Sequence, residues 1–67
     1  MDEDVLNLQV RQFLKKVGIN SQRHIEAAVR EASARGELSG GTVKAVMRLE
    51  IEGLDLAIEI GGEIAYE

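Results

Sequence analysis

The chain has no cysteine, no proline and no tryptophan, and its 67 residues include one Phe, one Tyr and one His. Without cysteine there is no disulfide, no thiolate nucleophile and no cysteine-ligated zinc or iron–sulfur centre. A single histidine makes a structural metal an unpromising substitute. No apolar run approaches the ~20 residues of a membrane span. Met1-Asp2-Glu3-Asp4 is acidic where a secretory signal is basic, so the chain reads as soluble and cytoplasmic. Neither Gly40-Gly41 nor Gly61-Gly62 is followed by Lys-Ser or Lys-Thr between a strand and a helix, which excludes a phosphate loop.

What is present is ordinary for a globular protein: 45% hydrophobic residues and 30% charged, with a net charge of −4. The length predicts one small domain, and a chain this short hides only about 60% of its unfolded surface. Small domains without staples often gain the missing burial from a second subunit, so oligomerisation is expected. Charge is unevenly placed. Residues 1–36 carry six bases and five acids, whereas residues 37–67 carry two bases and seven acids. With Asp2, Glu3 and Asp4 set aside as helix-start residues, residues 5–36 stand at +4 against −5 for the remainder. Halves of opposite sign suit contact within one chain or across two, or are simply two solvated faces.

Leu6, Val10, Phe13, Leu14 and Val17 form one stripe at helical spacing, which predicts a helix over about residues 3–17 with Gly18 as its stop. Acids at the start and Lys15 and Lys16 at the end complement the helix dipole. A second helix is expected over about 21–35, capped by Asn20 or Ser21 and ended by Gly36 in the left-handed conformation. Its apolar stripe is Ile25, Ala28, Val29 and Ala32, and its outer face pairs Glu26 with Arg30 and Glu31 with Arg35 at i,i+4.

After a flexible link at 37–41 the period changes to two. Val43, Ala45, Met47, Leu49 and Ile51 alternate with more polar residues, as do Leu54, Leu56, Ile58 and Ile60, so strands are expected over about 42–51 and 54–60. A two-residue turn at Glu52-Gly53 would set Ile51 opposite Leu54, Leu49 opposite Leu56, Met47 opposite Ile58 and Ala45 opposite Ile60. Alternation continues in phase through Ile64 and Tyr66. A tight turn at Gly61-Gly62 would break the apolar face, which favours a long, bulged second strand reaching about residue 66. A third strand after a three-residue turn stays open.

No catalytic constellation emerges. His24 has no Ser, Cys or carboxylate placed by any motif to act with it, so no enzyme activity, cofactor or metal is expected. Glu50, Asp55, Glu59 and Glu63 share their hairpin face with Lys44 and Arg48 and read as solvated charge. The alternative function is nucleic-acid binding by a helix-turn-helix-like pair with a hairpin wing. Arg11, Lys15, Lys16, Arg23, Arg30 and Arg35 would meet phosphates, but a pI near 4.9 works against it.

Met1 to Asn7, the string Phe13-Leu-Lys-Lys-Val-Gly18, and Ser21-Gln22-Arg23 with Ile25-Glu26 and Ala28-Val29-Arg30 together resemble a family of short bacterial proteins classed as a domain of unknown function. The resemblance covers nearly the whole chain. It implies a bacterial cytoplasmic protein and assigns no site residue.

The expected fold is therefore α+β: two helices followed by a long antiparallel hairpin whose apolar face they cover. Strands of roughly 30–40 Å outreach a fifteen-residue helix of roughly 22 Å, which leaves Ile60, Ile64 and Tyr66 wet. A homodimer would cover them by pairing strands or by exchanging elements through the 37–41 link. The expected function is that of a small homodimeric interaction or regulatory protein. Its candidate contact residues are Leu8, Arg11 and Lys15, on the outer face of the first helix, with Ile64 and Tyr66. Leu8 is either part of a patch for a protein with an acidic surface or an ordinary exposed leucine.

Overall fold

The computed structural model describes residues 1–67. It is an α+β chain with α1 at Glu3–Ala34, β1 at Thr42–Glu50 and β2 at Ala57–Ala65. The helix lies in one compact unit, Met1–Glu37, and the hairpin in another, Leu38–Glu67.

The two expected helices are one. α1 runs for 32 residues without interruption, and Gly18 keeps a negative φ, positive values being confined to Gly36, Gly40, Gly41 and Gly53. A mid-helix glycine costs about 1 kcal/mol relative to alanine. A break there would instead strand the terminal amides and carbonyls of two new helix ends, and there is no proline to force it. Asn20 does not cap a new helix; its side-chain amide donates to the Lys16 carbonyl at 2.8 Å, one turn back. The helix-turn-helix arrangement behind the nucleic-acid alternative is thus absent as a pair.

Both ends of α1 follow local rules. The Asp2 carboxylate accepts from the amides of Asp4 and Val5 at 3.0 and 3.1 Å, satisfying donors that the first turn leaves free. At the other end Gly36 adopts φ 69°. Its amide donates to Ser33 and that of Glu37 to Ala32, each at 3.0 Å, a Schellman closure that only a left-handed residue permits. Between them, Glu26 pairs with Arg30 and Glu31 with Arg35 at i,i+4, as the spacing predicts. No residue of α1 is buried.

β1 and β2 pair antiparallel from Thr42↔Ala65 through Met47↔Ile60 to Glu50↔Ala57. This register differs by two residues from the expected one, and the two-residue turn is not formed. The six residues 51–56 lie between the strands, with the Leu54 amide donating to the Ile51 carbonyl at 3.2 Å. The cause is the order of Glu52 and Gly53. A two-residue hairpin turn needs positive φ at its first or at both central residues. Here only Gly53, the second, is positive, at 82°, which is the type II arrangement. That turn does not match the strand twist, so the strands meet further back.

Because the shift is an even number of residues, the faces survive. Val43, Met47 and Leu49 still share one face with Ile58, Ile60 and Ile64, while Lys44↔Glu63 and Arg48↔Glu59 occupy the other. β2 passes through Gly61-Gly62 with unbroken one-to-one pairing, so the expected bulge is absent.

Two outcomes follow from these backbone assignments. Cα chemical shifts should be helical without a gap across residues 17–20. Gly53→Val should destabilise the hairpin by more than about 1 kcal/mol in denaturant titration, since a β-branched residue resists positive φ.

Candidate functional site

The candidate contact residues fall in both units, and each set has its own geometry. On a continuous α1, residues at i, i+3 and i+7 share a face, which places Leu8, Arg11 and Lys15 together. Leu8 is 52% exposed. The Arg11 guanidinium donates to the Asn7 side chain at 3.4 Å, a long and weak bond, and neither Arg11 nor Lys15 belongs to an ion pair. The face offers one apolar side chain flanked by two uncommitted cations.

On the hairpin, Ile64 is half-buried opposite Val43. Tyr66 has a task of its own. The Gly41 amide donates to the Tyr66 hydroxyl at 3.0 Å, and the Tyr66 amide donates to the Gly41 carbonyl at 3.0 Å. This reciprocal pair extends the ladder one step past Thr42↔Ala65 and closes the open end of the hairpin. Gly41 reaches the position with φ 81°, where a side chain would be strained. Tyr66 therefore has its polar tip spent on backbone.

Apolar residues that the sequence reading placed in a core are more exposed than Ile64. Met47 is 42% and Ile58 45% exposed on the hairpin, and on α1 Leu6 is 45% and Phe13 56% exposed. The signal for them was the same periodicity that marked them as core, because period says which face a residue lies on and not what covers it.

Chemistry-bearing groups do not converge. His24 is exposed on α1, and no three His, Cys, Asp or Glu residues are close enough to hold a metal ion. The hollow beside Arg48 and Glu59 is open, and these two residues satisfy each other at 3.0 Å. No helix is long and apolar enough to cross a membrane.

A family model described as a family of unknown function, DUF6494, matches residues 1–67. The chain belongs to this family. No curated protein and no solved structure matches it. Membership of DUF6494 assigns no residue a role, so the surfaces of this chain are read from their geometry alone.

The closure at Tyr66 has a direct test. Tyr66→Phe removes the acceptor of the Gly41 amide while keeping the ring, and should cost about 0.5–1.5 kcal/mol. Amide exchange should quicken at Gly41 and Tyr66 more than at the turn around Gly53.

Proposed function

We propose that this chain is a small homodimeric interaction protein without catalytic activity. The observation that carries the reading is that no side chain is buried in the single chain, although 45% of the residues are hydrophobic. A two-stranded hairpin alone is marginally stable in water, and most helical stability in proteins comes from packing an apolar face. Contiguous exposed apolar faces mark association sites, and a second copy presents the same faces by symmetry.

The face of Leu8, Arg11 and Lys15 suits an acidic partner protein. An apolar contact with cations beside it complements carboxylates, and Arg is among the residues enriched at interfaces. Catalysis has no support in the arrangement, because no nucleophile, base and cleft come together.

Sedimentation equilibrium at micromolar concentration should give about twice the 7.3 kDa of one chain; a mass of one chain overturns the homodimer. Leu8→Glu should keep the helix by circular dichroism and lose acidic proteins that the unaltered chain captures. If both chains capture the same proteins, this face is only solvated helix.

A further inference from the structure

The homodimer reading leaves open which surface two copies share, and α1 supplies a specific answer that rests on that reading. From Leu6 to Ala32 its stripe positions follow spacings of 4, 4, 3, 4, 4, 3 and 4. That is an eleven-residue repeat of about 3.67 residues per turn, which keeps the stripe along one side of a nearly straight helix. Laid against itself in reverse, the stripe matches to within one residue: Leu6 meets Ala32, Val10 meets Ala28, Leu14 meets Ile25 and Val17 meets Ser21.

Size decides between the two directions. The first half of the stripe is large and the second half mostly small, so a reversed partner sets large against small at Leu6–Ala32, Val10–Ala28 and Val17–Ser21, with Leu14–Ile25 the one pair of large residues. A parallel partner sets leucine on leucine at one end and alanine on alanine at the other. At the helix ends charge also favours the reversed direction, because parallel pairing brings Asp2, Glu3 and Asp4 of both copies together, whereas the reversed register sets Glu3 near the second copy's Arg35, which also pairs with Glu31 and Glu37 of its own chain.

Gly18 adds an independent observation. It lies in mid-helix with negative φ, and a Cβ built on it would meet nothing within 4 Å. Nothing in its own surroundings calls for glycine, which is among the poorest helix formers. In the reversed register the two-fold axis lies level with Ile19, and Gly18, four residues after Leu14 and three before Ser21, borders the stripe there beside the second copy's Gly18. There a missing side chain has a purpose.

We propose that two copies of this chain pair antiparallel through the apolar stripe of α1, with the two-fold axis level with Ile19 and Gly18 beside it. The chain has no cysteine, so introduced thiols report contacts without background. Full-length Leu6→Cys and Ala32→Cys chains, mixed and gently oxidised, should give the mixed cross-link several-fold over the product joining two Leu6→Cys chains. Predominance of the latter would mean parallel pairing and overturn the proposal. Sedimentation of the reduced mixture separates the remaining outcomes. A dimer mass without the mixed cross-link places the interface elsewhere and overturns this arrangement alone, while a single-chain mass overturns the homodimer too. As a second variant, Gly18→Leu should keep helical circular dichroism and raise the dimer dissociation constant at least tenfold; an unchanged constant removes the axis from this position.

Discussion

Backbone hydrogen bonding is the constraint from which the rest of this structure follows. With no side chain buried in the single chain, the course of the helix and of the hairpin is set by regular ladders and by the closures at their ends, while their stability calls for a covered apolar face. The Asp2 cap, the Gly36 closure and the Gly41–Tyr66 pair each take backbone groups that would otherwise be left to water. The same constraint explains why α1 passes through Gly18. Interrupting a ladder strands several polar groups at once, and one glycine is too small a penalty to offset that.

Local chemistry was legible where a residue acts on its own neighbours. Gly36 with positive φ, the ion pairs Glu26–Arg30 and Glu31–Arg35, the need for positive φ at Gly53 and the α+β class all follow from short-range rules, and the structure has each of them. At Gly18 two local rules compete. Gly18 resembles Gly36 in sequence as a helix stop, but beyond Gly36 the chain leaves the helical pattern, whereas beyond Gly18 a second apolar stripe continues nearly in phase with the first.

The hairpin shows a different limit. Period two determines which residues share a face, and that survived; the absolute register depends on the turn, and the turn depends on whether Gly stands first or second in it. With the register displaced by two residues, Gly41 comes opposite Tyr66, and a tyrosine that alternation sets in phase with the apolar face, beyond the reach of the helices, becomes a clamp on the backbone. The contact residues were legible only as positions on a face. Membership of DUF6494 says that the chain is one of a kind without naming what that kind does, so its exposed apolar surfaces carry the functional reading.

The glycine pair in β2 bears on solubility. A two-stranded sheet has unpaired donors and acceptors along both margins, and such margins can recruit further chains into growing fibrils. Gly61 and Gly62 sit in the middle of β2, where they lower strand propensity and leave no side chains for a newcomer to pack on. Glu59 and Glu63 flank them, so stacking identical hairpins in register would bring like charges into columns. β2 is thereby a strand that pairs with β1 and is poorly suited to template another.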